Sequence, residues 1–439
     1  LGDVYKRQDT LLVVQPVSNG PSEKIGILAG DRIIAVNDSA IAGVKMSTEE
    51  IMKRLRGPKG SKVNLKIVRR GVQDPLVFTV KRDKIPILSL DASYMIQPKT
   101  GYIRINRFGA TTAEEFKKAM KELQKQGMKD MILDLQGNGG GYLNAAIDLA
   151  NEFLDQKELI VYTEGRTAKR SDFYAKGNGE FRNGRLIVLV DEYTASASEI
   201  VSGAVQDWDR GIIVGRRSFG KGLVQRPIDL PDGSMIRLTI ARYYTPAGRC
   251  IQKPYDSSTD YNKDLIERFN HGELMNADSI HFPDSLKVQT KKLGRTVYGG
   301  GGIMPDYFVP IDTTLYTDYH RNLVAKGAVI KFTMKFIEGH RKELANKYKK
   351  FESFNEKFII DDDMLATLRE MGEKEGVKFN EEQYQKSLPL IKTQLKALIA
   401  RDLWDMNEYF RVMNTTNESV QKALEILNSE EYQKKLRAN

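Results

Sequence analysis

Leu186–Gln225, LIVLVDEYTASASEIVSGAVQDWDRGIIVGRRSFGKGLVQ, is the stretch that decides the fold. Its first residues, up to Asp191, form a short apolar and β-branched run that predicts a buried strand. A helical pattern follows the small and hydroxyl residues around Ser196, and residues 211–215 form a second apolar run. We therefore predict a strand-helix-strand unit of an α/β fold, because such crossovers build parallel sheets.

Parallel strands end at the same edge of a sheet, so the residues after their ends should lie together. Ser196 comes after the first strand of this unit, and Lys221 comes after the second. A third buried run, Met131–Leu135, precedes the glycine-rich loop QGNGGG at residues 136–141. Open α/β sheets bind ligands outside the carboxyl ends of their strands. We expect these three loops to converge on one site.

A hydroxyl and an amine at one site indicate acyl transfer. The Ser196 hydroxyl needs a base, and Lys221 acts as one only when neutral, so its pKa must fall by roughly three units from about 10.4. Apolar neighbours that could desolvate the amine are Phe219, Leu223 and Val224. Gln225 lies four residues after Lys221, so on an extended segment it shares the face of Lys221 and could orient the amine.

Backbone N–H groups near Ser196 could hold a developing oxyanion. Ser196 opens a helix, which leaves the N–H of Ala197 without a helical acceptor. A second donor is expected from the glycine-rich loop, where missing side chains let a substrate carbonyl approach the backbone. The candidates for it are Gly137, Gly139 and Gly140.

These residues and motifs resemble the C-terminal processing (tail-specific) serine proteases, which use a Ser-Lys dyad with a glutamine four residues after the lysine. The matching motifs, in chain order, are LDLQGNGGG, TASASE around Ser196, FGKGLVQ around Lys221, YYTPAGRCIQ from Tyr243 and GGGIMPD ending at Asp306. The chain departs from the family pattern twice. Gln136 stands where arginine is common, and Gly139 stands where proline is frequent.

The resemblance implies an endopeptidase that cleaves proteins near nonpolar C-terminal tails, with no metal and no cofactor. It assigns the nucleophile to Ser196, the base and acid to Lys221, and the orientation of the amine to Gln225. Its partners would be protein or peptide substrates, and its location would be the cell envelope or periplasm of a bacterium. An answer of a different class is a catalytically inactive scaffold of the same fold that only binds peptides.

Two less favoured interpretations concern the same residues. Taken alone, Ser196 would be a helix N-cap, but Lys221 and Gln225 returning to the same edge favour an active site. Gly215–Gly222, GRRSFGKG, nearly matches the phosphate-binding pattern G-x-x-x-x-G-K-[ST]. However, Gly222 replaces the hydroxyl that would ligate magnesium, and the next residues, LVQRPIDLPDG, predict a strand and turn instead of a phosphate-binding helix.

Composition excludes several other classes. The 439 residues carry 68 basic and 58 acidic side chains, a net charge of +10 that is spread along the chain. No nucleic-acid-binding module accompanies this charge, so we interpret it as a solvated surface. Cys250 is the only cysteine, which excludes an internal disulfide, and the four histidines lack metal-type spacing. No apolar run approaches the ~18 residues of a membrane helix.

The pattern along the chain predicts three domains behind an unrelated leader. Residues 1–8, LGDVYKRQ, do not match the pattern of the domain that begins at Asp9, and we leave them out of the fold. Residues 9–83, with SNGPSEKIGILAGDRIIAVND, resemble a PDZ domain, in which a peptide tail adds as a strand beside a helix. We expect the loop that would grip a peptide carboxylate to lie upstream of Asp9. We therefore expect the domain to be N-terminally truncated, and a packing module that no longer binds peptides is as well supported as a peptide binder.

The remaining two domains are distinguished by the change of pattern near residue 312. Residues 84–312 form the predicted protease core, in which the polar, glycine-rich segment 156–184 is expected to be a flap. Residues 313–439 form a predicted helical domain, because they are rich in Lys, Glu and Leu at helical spacing. That domain is expected to cover the core, wall a substrate chamber or support a homodimer.

Overall fold

The structure is a computed structural model that describes residues 2–7, 9–17, 20–85, 87–254 and 263–436. Its backbone contacts divide the chain into two compact units. One unit joins residues 1–87 to residues 313–413, and the other joins residues 88–312 to residues 414–439. Each unit is therefore built from two separate segments of the sequence.

The N-terminal segment of the first unit is an antiparallel sheet with two short helices. Its elements are β1 (Gly2–Arg7), β2 (Thr10–Pro16), α1 (Pro21–Lys24), β3 (Arg32–Val36), β4 (Ser39–Ala40), α2 (Thr48–Leu55), β5 (Lys62–Val68) and β6 (Leu76–Lys81). The strands pair in the order β1-β2-β3-β5-β6, with β4 beside β3. Alternate residues of β5 are buried and share one apolar core with Ile51 and Leu55 of α2. The PDZ-like interpretation of this segment agrees with this arrangement.

Residues 2–7 do not lie outside the fold. They form β1, which pairs antiparallel with β2, so our expectation that the leader stands apart is wrong for these residues. Without a neighbour, β2 would present an edge of unpaired backbone groups, and an extended segment within reach satisfies them. A cavity of about 310 Å³ lies beside β1 and α2, with Val4, Met52, Leu55 and Val80 in its lining.

The second unit contains most of the remaining strands. Its elements up to residue 312 are β7 (Leu90–Gln97), β8 (Thr100–Ile105), α3 (Thr112–Lys125), β9 (Asp130–Asp134), α4 (Leu143–Ala150), β10 (Leu159–Glu164), β11 (Ser171–Tyr174), β12 (Leu186–Val190), α5 (Ala197–Asp207), β13 (Ile212–Gly215), β14 (Leu223–Asp229), β15 (Met235–Tyr244), α6 (Asp264–Asn270), β16 (Lys287–Gln289), β17 (Thr296–Tyr298) and β18 (Tyr307–Phe308). Two single-turn 3₁₀ helices, Ala277–Ser279 and Asp284–Leu286, precede β16.

The main sheet of this unit has the strand order β18-β13-β12-β9-β8-β7. All neighbouring pairs from β18 to β8 are parallel, and only β7 runs antiparallel, at the edge. Every residue of β9, β12 and β13 is buried, which is typical of parallel strands covered on both faces. The predicted parallel strand-helix-strand unit is confirmed as β12-α5-β13.

A second, antiparallel sheet has the order β11-β10-β15-β14. Its strands β10 and β11 occupy the segment predicted to be a flap. The flap prediction is wrong because apolar residues in this segment, including Ile160, Val161 and Phe181, are buried in the main core. β15 pairs with β10 only at Arg242–Tyr244, so the rest of β15 pairs with β14 alone.

Helices make up the C-terminal part. In the first unit they are α7 (Asp318–Ala325), α8 (Ala328–Lys347), α9 (Phe351–Lys357), α10 (Asp362–Lys374), α11 (Glu381–Leu403) and α12 (Met406–Met413), and in the second α13 (Glu418–Asn428) and α14 (Glu431–Lys435). Gly327 separates α7 from α8, because its positive φ of 73° ends the first helix. Within the described ranges, no helix is both long and apolar enough to cross a bilayer.

The last two helices belong to the core unit and not to the other C-terminal helices. Leu427 and Tyr432 are buried there, and the Tyr432 hydroxyl accepts a hydrogen bond from the N–H of Leu186, the first residue of β12, at 2.9 Å. Arg185 donates to the carbonyl of Leu427 at 2.6 Å. The change of composition near residue 313 therefore does not mark the end of the core unit.

Candidate active site

Three loops meet at the carboxyl edge of the parallel sheet. They are residues 136–141 after β9, residues 191–196 after β12 and residues 216–222 after β13. The carbonyl of Asn138 accepts a hydrogen bond from the N–H of Ala195 at 2.9 Å, and Phe219 N–H donates to the carbonyl of Thr194 at 2.9 Å. The loops are thus bonded to one another, as the parallel topology predicts.

Ser196 lies in a strained turn between β12 and α5. Its φ of 58° and ψ of −112° are outside the regions that non-glycine residues favour, and such a conformation costs about 1–3 kcal/mol. A sharp strand-to-helix turn of this kind exposes the hydroxyl of a nucleophilic serine at the end of an α/β sheet. Ser196 therefore occupies a turn of the kind that presents a serine hydroxyl at a sheet edge.

Glu199, one turn into α5, connects Ser196 to the lysine loop. Its Oε2 accepts hydrogen bonds from the backbone N–H of Ser196 at 2.7 Å and of Lys221 at 2.8 Å. Its Oε1 accepts from Ser218 Oγ and from Gly220 N–H, both at 2.6 Å. Complete burial raises the pKa of Glu199, and these four donors oppose that rise. One buried carboxylate thus holds the backbones of Ser196 and Lys221 side by side.

Lys221 is partly buried, and Gln225 is exposed in β14. The hydrogen bonds of the described residues include none from Lys221 Nζ to Ser196 or to Gln225. The register between β14 and β15 shifts between Val224 and Gln225. The orienting role of Gln225 stays a prediction.

The segment after β15 anchors the lysine loop from behind. Gln252 Oε1 accepts a hydrogen bond from the N–H of Gly222 at 2.9 Å, and Lys253 N–H donates to the carbonyl of Gly220 at 3.0 Å. The buried ammonium of Lys253 lies 3.9 Å from the centre of the Phe219 ring. Phe219, one of the predicted apolar neighbours of Lys221, therefore packs against a second lysine.

The predicted oxyanion donors differ in whether their N–H groups are already bonded. Gly137 N–H donates to Asp191 Oδ1, and Gly140 N–H donates to Asn138 Oδ1, both at 2.9 Å. Among the described residues, no acceptor pairs with the N–H of Ala197 or of Gly139. These bonds favour Ala197 and Gly139 as the two groups with an N–H left to donate.

Gly140 lies directly against the turn that holds Ser196. A Cβ added to Gly140 would come within 2.7 Å of Ser196 Cβ and 2.9 Å of the nitrogen of Ala197. The same Cβ would lie 2.7 Å from the carbonyl oxygen of Ala195. Glycine at this position is therefore what allows the loop after β9 to touch the backbone of Ser196.

The nucleotide-binding interpretation of Gly215–Gly222 lacks its helix. A strand, β14, comes directly after Gly222, so no helix N-terminus faces the position that a phosphate would take.

In the part of the chain that the structure describes, no three His, Cys, Asp or Glu side chains are grouped so that they could hold a metal ion.

Sequence analysis missed two buried acids of this site, Glu199 and Asp191. The spacing of Glu199, three residues after Ser196, is that of a capping box and could have indicated it. Asp191 Oδ1 accepts hydrogen bonds from the N–H groups of Gly137, Tyr193 and Thr194 at 2.9–3.0 Å. Burial raises the pKa of Asp191, and the bond from Gly137 opposes this. No local pattern distinguishes Asp191 from any other acid that ends a strand.

Glu199→Gln is expected to lower the free energy of unfolding by roughly 3 kcal/mol, because an amide nitrogen cannot accept two of the four hydrogen bonds. Urea denaturation monitored by circular dichroism measures the change. Glu122→Gln is the matched control, since Glu122 is largely exposed and, among the residues that the structure describes, forms an ion pair only with Lys125 in the same helix. A loss below about 1 kcal/mol in Glu199→Gln would contradict the joining role of Glu199.

Comparison with known proteins identifies matching families along much of the chain. A model described as peptidase family S41 matches residues 99–259, and a PDZ domain model matches residues 12–69. A model of a family of unknown function matches residues 319–405. These three matches have the same order as the predicted domains.

Named relatives are processing proteases. The carboxyl-terminal-processing protease of Synechocystis sp. is 40% identical over 256 residues, which are 57% of this chain and 58% of that protein. The probable CtpA-like serine protease of Staphylococcus aureus is 31% identical over 375 residues, which are 83% of this chain and 71% of that protein. The solved structure of the photosystem II D1 C-terminal processing protease has 33% identity and a TM-score of 0.35, over 57% of this chain and 68% of that one.

The chain spans between about half and three fifths of the length of the first curated relatives that it matches, from 52% to 60% of each.

Proposed function

The chain belongs to peptidase family S41, and from that membership we propose that it is a serine endopeptidase that cleaves proteins near nonpolar C-terminal tails. The observation that carries the proposal is that Glu199 accepts hydrogen bonds from the backbone N–H groups of both Ser196 and Lys221. These bonds bring the two backbones together at the sheet edge. The free N–H of Ala197 at the same place adds the donor that acyl transfer requires.

In the proposed reaction, Ser196 Oγ attacks the carbonyl carbon of the scissile peptide bond, and Lys221 takes the hydroxyl proton. The N–H groups of Ala197 and Gly139 hold the resulting oxyanion. When the carbon–nitrogen bond breaks, Lys221 gives the proton to the leaving amine. Water then hydrolyses the acyl-enzyme, with Lys221 as base, and releases Ser196. Gln225 would orient the Lys221 amine once substrate is bound.

An exposed apolar face on the hairpin that follows Lys221 in the sequence supports a preference for nonpolar tails. The hairpin of β14 and β15 begins two residues after Lys221, and Ile228 lies opposite Ile236 in it. Leu238 is on the same face, and these three side chains are 37–50% exposed. We propose that this face, Ile228, Ile236 and Leu238, contacts the apolar residues of a substrate tail.

The expected result for the wild type is faster cleavage of a peptide that ends in Val-Ala-Ala than of the same peptide ending in Asp-Asp-Asp. Substituting both Ile236→Ser and Leu238→Ser should raise KM for the apolar peptide roughly 30-fold with kcat unchanged, because about 1 kcal/mol of apolar contact is lost at each position. Liquid chromatography with mass spectrometry of the products measures the cleavage.

Met235→Ser provides the matched control for the hairpin. Met235 is 58% exposed but pairs with Asp229, so its side chain lies on the opposite face and KM should stay the same. An equal rise of KM in Met235→Ser would contradict the proposal that the face of Ile228, Ile236 and Leu238 contacts the substrate tail. If the wild type cleaves neither peptide, the proposed endopeptidase function is wrong. The remaining interpretation is then a catalytically inactive scaffold that binds peptides.

We also propose that the substrates are proteins or peptides recognised through their C-terminal tails and that the protein works in the bacterial cell envelope. Binding of a tail in the PDZ-like segment and formation of a homodimer stay predictions.

A further inference from the structure

A guanidinium lies beneath the glycine-rich loop and reaches it from a neighbouring strand. Arg104 is in β8, and its side chain is 18% exposed. Its Nη1 donates to Asp134 Oδ2 at 2.5 Å, and its Nη2 donates to the carbonyl of Gln136 at 2.8 Å. Arg104 therefore holds both the last side chain of β9 and the first peptide of the loop after it.

Asp134 needs this cation because it is fully buried. Its Oδ2 also accepts from the hydroxyl of Tyr102 at 2.5 Å, and its Oδ1 accepts from the backbone N–H and the side-chain amide of Gln136 at 2.8 and 3.2 Å. Within the described ranges, Arg104 is the only ion-pair partner of Asp134. A buried carboxylate left without a counter-charge is costly, so losing Arg104 would release the Gln136 peptide and disturb Asp134 as well.

Two further hydrogen bonds hold the loop after the Gln136 peptide group. Gly137 N–H is bonded to Asp191 in the neighbouring loop, and the carbonyl of Gly140 accepts from Phe108 N–H at 3.0 Å. Gly139 lies between these two fixed points, with an N–H that has no acceptor among the described residues. Arg104 fixes the start of the loop and, together with the Ala195 N–H and the Ser198 hydroxyl that donate to the carbonyl of Asn138, sets where the Gly139 N–H points.

We propose that Arg104 is a positioning residue of the oxyanion loop, acting through Asp134 and the Gln136 carbonyl on the Gly139 N–H. This inference rests on the endopeptidase function proposed above. Gln136 carries no charge, so the positive charge beside Asp134 comes from Arg104 of β8.

Arg104→Gln is expected to lower kcat on an apolar tail peptide about 10²-fold while KM changes less than about 2-fold, because a misplaced oxyanion donor affects the transition state and not substrate binding. Adding Gln136→Arg to that variant should restore at least about a tenth of the wild-type kcat. The Gln136 side chain already reaches Asp134 Oδ1, so an arginine there can return the missing charge. The rates are expressed per folded molecule, with folding checked by circular dichroism.

Arg185→Gln is the matched control. Arg185 pairs with Asp130 at the other end of β9, at 2.6 Å, so its loss should lower thermal stability without changing kcat. If Arg104→Gln does not fold, Arg104→Lys replaces it in the same comparison, because a single ammonium cannot serve Asp134 and Gln136 together.

Unchanged kcat in Arg104→Gln, an equal fall of kcat in Arg185→Gln, or no restoration by Gln136→Arg would each overturn the inference. A wild type that cleaves no peptide would instead overturn the proposed function, and the inference with it.

Discussion

Ser196→Ala and Lys221→Ala are each expected to reduce casein cleavage by roughly 10⁴- to 10⁶-fold. In the proposed reaction, alanine at position 196 removes the atom that attacks the carbonyl, and alanine at position 221 removes the base that makes the hydroxyl nucleophilic. Because the two residues act as one unit, the double variant should lose no more activity than either single one. Digestion of casein, with gel electrophoresis and mass spectrometry of the products, measures the loss.

Ser202, in the helix α5 that begins after Ser196, provides a control for damage to the fold. Ser202 is buried, and within the described residues its hydroxyl bonds only to backbone carbonyls of α5, at Ser198 and Glu199. Ser202→Ala should therefore keep wild-type kcat and lose at most about 1 kcal/mol of stability. Equal casein cleavage by the wild type, Ser196→Ala and Lys221→Ala would refute the dyad. Retained activity in Lys221→Ala alone would refute lysine as the base.

Gly140→Ala is expected to reduce kcat about 10²-fold, because the new Cβ would push the glycine-rich loop away from Ser196 and Ala197. The φ of Gly140, +95°, adds a backbone strain of about 1 kcal/mol that glycine avoids. The contact atoms are mainly backbone, at 2.7 to 2.9 Å, so they cannot rotate aside. Kinetics on the apolar tail peptide and thermal unfolding measure the two effects separately.

Gly127→Ala separates the contact from the strain. Gly127 has nearly the same φ, +92°, and a Cβ there would meet no atom within 4 Å. Both variants should lose similar stability from strain, and only Gly140→Ala should lose kcat. Equal kinetic loss in the two variants would show that the contact with Ser196 has no role in the proposed reaction.

Much of the architecture could be predicted from the sequence because short-range chemistry determines it. The apolar runs at β9, β12 and β13 belong to strands buried on both faces, and the helix between β12 and β13 makes them parallel. Once the strands are parallel, Ser196 and Lys221 must reach the same edge. The prediction from apolar runs failed for residues 156–184, because the few apolar residues of this segment are interspersed with polar ones.

The roles within the site depended on tertiary contacts. Three glycines of the loop after β9 look equivalent in sequence, but hydrogen bonds to Asp191 and to Asn138 engage two of their N–H groups and leave that of Gly139. Glu199 has the spacing of a helix cap, yet both of its carboxylate oxygens also accept hydrogen bonds from the lysine loop, which lies about twenty residues away. Nothing near Arg104 in sequence indicates that it pairs with Asp134 of the next strand.

The sequence by itself therefore determined the strands, the parallel order and the edge where serine and lysine arrive, because burial and periodicity act on neighbouring residues. Only the tertiary structure decided which N–H groups stay unbonded, which carboxylate joins the loops and which arginine neutralises Asp134. Those choices depend on distances between atoms that are far apart in the chain, and no local pattern contains them.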